Sequence, residues 1–108
     1  MTAREIRSRL HNRDVSPQEL LDALAARIAT VDPSVNALPT LCFERAAEHV
    51  RVQDYSGTRL KGLPIAIKDL IAVAGVRTTW GSKIYEHHVP PHSDLLVERL
   101  EAHGGIIY

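Results

Sequence analysis

The sequence has little cysteine, no excess of charge of either sign and no long hydrophobic run. Its one cysteine, Cys42, has no partner for a disulfide within the chain, which is typical of a reducing compartment, so we expect a cytoplasmic location. The 13 lysine and arginine residues balance 13 aspartate and glutamate residues, which argues against a strongly basic nucleic-acid-binding protein. No apolar run approaches the ~20 residues that cross a bilayer, so no membrane partner is predicted.

The composition is that of a small globular domain. Apolar residues make up 44% of the 108 residues and charged residues 24%, which is ordinary for such domains. A chain of this length forms one small domain rather than two.

Helical patterns dominate the first half of the chain. Thr2 followed by Glu5 is a capping box that predicts a short helix reaching about residue 11. Ser16 followed by Pro17 marks a second and stronger helix start. Apolar residues at helical spacing extend this helix until Pro33, because the residue before a proline disfavours the helical conformation. A third helix is predicted over 43–54.

The second half alternates extended and helical patterns. Residues 35–41 are predicted to form a short edge strand or an extended link, and residues 65–67 a buried strand. Ser93 or Asp94 caps a helix that runs through residue 103. The packing residues predicted for this last helix are Leu95, Leu96, Val97 and Leu100.

Interleaved helices and strands predict an α/β fold. We expect residues 1–60 to form a helical lead-in and residues 61–108 to begin a core sheet. The pair Gly104-Gly105 precedes β-branched residues that start a strand close to the last residue. We therefore expect the sequence to be part of a longer protein, the alternative being an ordinary frayed terminus.

Lys68 is the strongest candidate for a catalytic residue, because it follows a predicted apolar strand directly. If its ammonium is buried, desolvation lowers its pKa, and the neutral amine can accept a proton from a hydroxyl. On residue types alone the favoured alternative is a lysine at the end of a strand that reaches solvent, or one paired with Asp69.

The segments around Lys68 resemble the N-terminal region of the amidase signature family. The most specific likeness is GLPIAIKD at 62–69, followed by VAGVRTT at 73–79 and GS at 81–82. Residues 16–20, 35–37 and 93–107 resemble the flanking parts of that family, so the likeness covers most of the chain.

The resemblance implies an amide hydrolase with a serine nucleophile, a second serine in a cis peptide and a lysine. Lys68 would be that lysine, acting on the cis-serine first as base and then as acid. The family places both serines in a Gly/Ser-rich stretch downstream, which this sequence does not contain, and Ser82 and Ser93 do not stand in such a motif. The isolated chain is therefore expected to be inactive.

Four further residues are candidates for supporting or lining the site. Asp69 is suited to hold the lysine loop by accepting backbone N–H bonds, although a solvated turn residue is an equal alternative. The resemblance makes Thr79, Gly81 and Ser82 plausible as pocket-lining residues, the alternative being a simple turn.

No metal or organic cofactor is implied, because serine and lysine transfer acyl groups unaided. His87, His88 and His92 form a histidine-bearing loop rather than a zinc site, since prolines interrupt any helical spacing and no fourth ligand is evident. Trp80 is expected to be a packing anchor, and Cys42 a buried small residue rather than a reactive thiol.

Three functions are compatible with these patterns. The favoured one is an amidase that acts on a small-molecule amide. The second is an amidotransferase A-type subunit that uses ammonia on a charged tRNA, the one case in which a nucleic acid partner is expected. The third is a non-catalytic split fragment that binds a complementary chain; a homodimer is also possible.

Overall fold

The computed structural model describes residues 1–108 and consists of helices around a short parallel sheet. No helix in it combines the length and the apolar character that a bilayer span requires. The elements in chain order are α1 (Ala3–Asn12), α2 (Pro17–Val35), α3 (Phe43–Val52), β1 (Leu63–Ile65), a 3₁₀ turn (Lys83–Tyr85), α4 (Leu95–Ala102) and β2 (Gly105–Ile107).

Capping boxes start the first two helices, as the sequence predicted. The Thr2 hydroxyl accepts the Glu5 N–H at 3.3 Å, and the Glu5 carboxylate accepts the Thr2 N–H at 2.6 Å. Ser16 and Glu19 repeat the arrangement at 3.2 and 2.8 Å. Each box satisfies N–H groups that the first helical turn leaves without a partner.

The predicted end of α2 at Pro33 is wrong, because the helix continues to Val35. Asn36 adopts a left-handed conformation and donates its N–H to the Asp32 carbonyl at 2.7 Å, while the Asp32 carboxylate accepts the Ala37 N–H at 2.8 Å. These two bonds hold the last turn, although Pro33 contributes no N–H donor.

Residues 36–42 form an irregular link, so the edge strand predicted over 35–41 is not present.

The third helix ends at Val52, two residues before the predicted boundary, because Gln53 is already extended.

The strand predicted over 65–67 lies two residues earlier, at Leu63–Ile65. Its position is set by a distant partner: Leu63 pairs with Gly105 and Ile65 with Ile107. Residues 66 and 67 have no partner in β2 and leave the sheet.

The two strands carry a core on each face. Ile106 packs on one side with Leu21 of α2 and Ala46 of α3, whereas Ile107 packs on the other with Val97 of α4 and with Val73. Successive residues of a strand point to opposite faces, so the sheet is covered on both sides. The result is the α/β fold that the sequence predicted, in a three-layer arrangement.

The packing predicted for α4 is only partly correct. Val97 is fully buried and Leu100 packs beside it, but Leu95 is 65% exposed and Leu96 51% exposed. The helix rests on the sheet through one stripe, and residues 97 and 100 share that stripe. Leu95 and Leu96 share the first turn with Val97 but lie off that stripe, so both stay on the surface.

A close contact between Gly104 and Thr58 fixes the backbone where the chain enters β2. Gly104 has a φ of +83°, and a Cβ there would lie 2.2 Å from the Thr58 hydroxyl oxygen. Only glycine fits this position, because both the backbone conformation and the neighbouring loop exclude a side chain.

Candidate active site

Lys68 lies three residues beyond β1, in a turn closed by a 2.9 Å bond from the Ile71 N–H to the Lys68 carbonyl. Its side chain is exposed, and its ammonium makes no hydrogen bond or ion pair within the chain. The burial that would lower the pKa of this lysine is therefore not found in these 108 residues, nor is a pair with Asp69. The position matches the alternative of a strand-end lysine that reaches solvent.

Asp69 joins the lysine turn to the loop at 78–82. Its carboxylate accepts the Thr79 N–H at 2.7 Å and also the Thr79 hydroxyl, while its carbonyl accepts the Trp80 N–H at 3.0 Å. Partial burial opposes ionisation of Asp69, but the two Thr79 bonds and the charge of Arg77 outweigh it and lower the pKa of the carboxyl. Asp69 is thus an ionised clamp between two loops rather than a solvated turn residue.

The remaining candidates form a tight turn stabilised by Thr79. Its hydroxyl accepts the Gly81 N–H at 3.2 Å, and its carbonyl accepts the Ser82 N–H at 2.9 Å. Trp80 and Gly81 both have positive φ. The Ser82 hydroxyl caps the 3₁₀ turn by accepting the Ile84 N–H at 3.3 Å, which the sequence patterns did not predict.

An open cavity of about 340 Å³ brings Lys68 and Asp69 together with the link at 37–40 and with Tyr108. A smaller cavity of about 40 Å³ beside it adds Cys42. Thr79, Gly81 and Ser82, which were expected to line the pocket, line neither of these two cavities. The structure therefore brings together Lys68 and Asp69 in one cavity, with Thr79 bonded to Asp69, and leaves Thr79, Gly81 and Ser82 outside the lining.

Sequence patterns did not indicate Thr40 and Tyr108, which line both cavities. One signal was available for Tyr108, because parallel strands place their carboxyl ends at the same edge of a sheet and ligands bind at that edge. Tyr108 follows β2 directly, and Lys68 follows β1 by three residues. No local pattern indicates Thr40, since its position depends on the path of the irregular link between α2 and α3.

Cys42 is half-buried beside this site, and its thiol donates to the Ile107 carbonyl at 3.7 Å. Burial raises the pKa of the thiol; the Arg45 charge opposes this effect, and Glu101 adds to it. A raised pKa disfavours the reactive thiolate, in keeping with a small packing residue.

Trp80 belongs to a surface cluster of rings. It stacks on His88 at a centroid distance of 4.9 Å and meets Tyr85 edge-on at 4.9 Å. His88 therefore packs against an aromatic ring, and no group of three or more histidine, cysteine or carboxylate side chains is arranged to hold a metal ion.

The sequence profile of the family described as Amidase matches residues 19–108. The chain belongs to the amidase family. It is 38% identical to the A-subunit of the glutamyl-tRNA(Gln) amidotransferase of Caldanaerobacter subterraneus, over 99% of this chain and 23% of that protein. The corresponding protein of Thermus thermophilus, which has the same name, is 41% identical, over 99% of this chain and 22% of its own length.

Solved structures share the fold. A vestigial protein complex connected with the evolutionary origins of an s-triazine catabolic enzyme matches with a TM-score of 0.89 and 28% identity, over 99% of this chain and 25% of that chain. A 6-aminohexanoate cyclic dimer hydrolase matches with a TM-score of 0.87 and 24% identity, over 99% of this chain and 22% of that chain, and shows a common fold alone. The chain thus spans about a quarter of these relatives.

Proposed function

We propose that this chain is the N-terminal part of an amidase domain of the Ser–cis-Ser–Lys type, in which Lys68 is the catalytic lysine. The observation that carries the proposal is the placement of Lys68. The lysine stands at the carboxyl edge of a parallel strand pair, in an open cavity, with an ammonium that has no partner in the chain. In this division residues 1–60 are the helical lead-in and residues 61–108 begin the core sheet.

The proposed reaction is acyl transfer from a carboxamide. Lys68 as a neutral amine takes the proton of the cis-serine hydroxyl, which in turn takes the proton of the nucleophilic serine as that oxygen bonds to the amide carbon. The proton returns along the same route to the nitrogen as the carbon–nitrogen bond breaks, and water then releases the acyl group. Both serines would be supplied from outside these 108 residues.

Desolvation of Lys68 then depends on the rest of the domain. A lysine exposed in the first quarter of the fold becomes buried once further elements cover the edge of the sheet, and burial favours the neutral amine. We assign Asp69 and Thr79 the role of positioning residues, because their hydrogen bonds fix the turn that carries Lys68. Gly81 and Ser82 would shape the neighbouring loop.

The test uses the intact protein purified from its own cells. Lys68→Met is expected to reduce amide hydrolysis, measured as ammonia released from a panel of carboxamides, by about 10²–10⁴-fold, the usual contribution of a general acid–base group. Lys83→Met is the matched control, because Lys83 is exposed on the 3₁₀ turn and should leave turnover unchanged. Full turnover in the Lys68 variant would exclude the assigned role.

A second candidate is an amidotransferase subunit, and the names of the Caldanaerobacter and Thermus relatives favour it. In that case the ammonia is used on a charged tRNA rather than released. Activity that requires ATP, a charged tRNA and a copurifying partner chain would support this candidate, and hydrolysis by the intact protein alone would support the hydrolase.

A third candidate is a non-catalytic fragment that binds a complementary chain. The two-stranded sheet and the large apolar residues left on the surface favour it. The inactivity of the isolated chain and its cytoplasmic location stay predictions under all three candidates.

A further inference from the structure

A basic cleft lies between α1 and the loop at 58–61. It encloses about 350 Å³, and none of its lining side chains is hydrophobic. Ser8 and Thr58 contribute hydroxyls, and the other lining residues are Arg4, Arg7, His11, Arg59 and Lys61. The cleft shares no lining residue with the two cavities at Lys68, so its role is independent of the proposed function.

Helical spacing explains why α1 contributes so much to this cleft. Arg4, Arg7, Ser8 and His11 stand at positions i, i+3, i+4 and i+7, which share one face of a helix. The side of α1 that bears them therefore presents two arginines, a serine and a histidine to the cleft, and no acidic side chain.

The opposite wall is a loop with little freedom. The Thr58 hydroxyl donates to the Tyr55 carbonyl at 2.9 Å and accepts the Lys61 N–H at 3.2 Å. The Leu60 N–H donates to the His103 carbonyl at 2.8 Å. These bonds hold the backbone that carries Arg59 and Lys61 before any ligand arrives, which reduces the ordering cost of binding.

The four permanent cations of the cleft have no acidic partners. The ion pairs of the chain join Arg45 to Glu101 and Arg51 to Glu48, His49 lies 3.7 Å from Glu101, and none of these contacts includes a cleft residue. The Lys61 ammonium donates to the Ser56 carbonyl, which carries no net charge. The charge of Lys61 does reach the carboxyl of Asp54, whose pKa is lowered first by hydrogen bonds from Ser56 and then by the charges of Lys61 and Arg13. The neutral charge of the whole chain thus conceals a local excess of positive charge.

We propose that this cleft binds an anion that carries two or more phosphate groups. Arginine guanidinium groups match phosphate oxygens in bidentate pairs, and hydroxyls add further donors. Several cations close together also favour more than one negative charge. No hydrophobic side chain lines the cleft to hold an acyl chain or a stacked base, so recognition is directed at phosphate itself. The source of that phosphate is either a free oligophosphate or the backbone of a single-stranded RNA.

Calorimetric titration of the intact protein tests this proposal. Sodium tripolyphosphate and a short single-stranded RNA of mixed sequence are titrated separately at low salt. At least one is expected to bind saturably, and the double substitution Arg7→Gln with Arg59→Gln should weaken it by about tenfold or more for each arginine. Arg27→Gln is the matched control, because Arg27 is exposed on α2 and lies outside the cleft.

The outcomes separate the two sources. Binding of tripolyphosphate alone assigns a free oligophosphate, and binding of RNA alone, with an affinity that falls steeply with salt, assigns a phosphodiester backbone. Saturable binding of neither probe overturns the proposal, as does equal weakening by the double variant and by Arg27→Gln. If the double variant fails to keep the wild-type circular dichroism spectrum, the exposed Arg4→Gln replaces it, with the same two readings.

Discussion

At the scale of single residues, the contacts of Asp69 distinguish the lysine loop from an ordinary surface turn. One carboxylate receives both the backbone and the side-chain donor of Thr79, ten positions along the chain. The sequence indicated the acidic residue but could not name its partner, because the partner comes from another loop. Lys68 itself was found by its sequence context, yet its exposure depends on which elements cover the sheet edge.

Removing the charge of Asp69 should make stability less sensitive to acid. Because its folded-state pKa lies below the ordinary value of about 3.9, its contribution is complete above that value and disappears as pH falls through the lower, folded-state pKa. We expect Asp69→Asn to lower the unfolding free energy of the intact protein by about 1 kcal/mol at neutral pH. Urea unfolding as a function of pH measures this, and a deficit that persists unchanged in acid would contradict it.

At the scale of elements, local signals predicted where helices start better than where segments end. The capping boxes at Thr2 and Ser16 are contained within four residues each, so they can be recognised from sequence. The end of α2 depended on bonds around Asn36 that outweigh the effect of Pro33. The register of β1 depended on β2, about forty residues away, and no local pattern contains that information.

The packing of α4 gives the prediction at this scale. Val97→Ala removes two carbons from a fully buried site and should cost about 2 kcal/mol of unfolding free energy, whereas Leu95→Ala in the same helix should cost less than about 0.5 kcal/mol because Leu95 is 65% exposed. Chemical denaturation of both variants in the intact protein measures the difference. Equal losses of unfolding free energy in the two variants would contradict this prediction and would mean that another part of the intact protein buries Leu95.

At the scale of the whole molecule, the two short strands support only a small core. Thirteen of 108 residues are buried, and Leu70, Ile84 and Val89 are each more than half exposed. The composition and the net charge of the chain do not reveal this organisation. The composition is typical of a globular domain, yet the sheet has only two strands and unpaired edges. The net charge is zero, yet one cleft is basic.

The isolated 108-residue chain should therefore be poorly ordered in its tertiary packing. We expect it to bind a hydrophobic dye such as ANS and to unfold over a broad range of temperature while keeping its helical circular dichroism signal. A sharp, cooperative transition of a monomer without dye binding would contradict this expectation.

The most direct test of the central claim is the turnover of Lys68→Arg in the intact protein. Arginine keeps the positive charge of lysine but does not lose its proton in proteins, so the variant separates proton transfer from simple charge. If Lys68 is the base of an amidase, ammonia release by Lys68→Arg falls to the level of Lys68→Met. Turnover close to that of the unmodified protein would show that the position requires only a cation, and the proposed mechanism would be wrong.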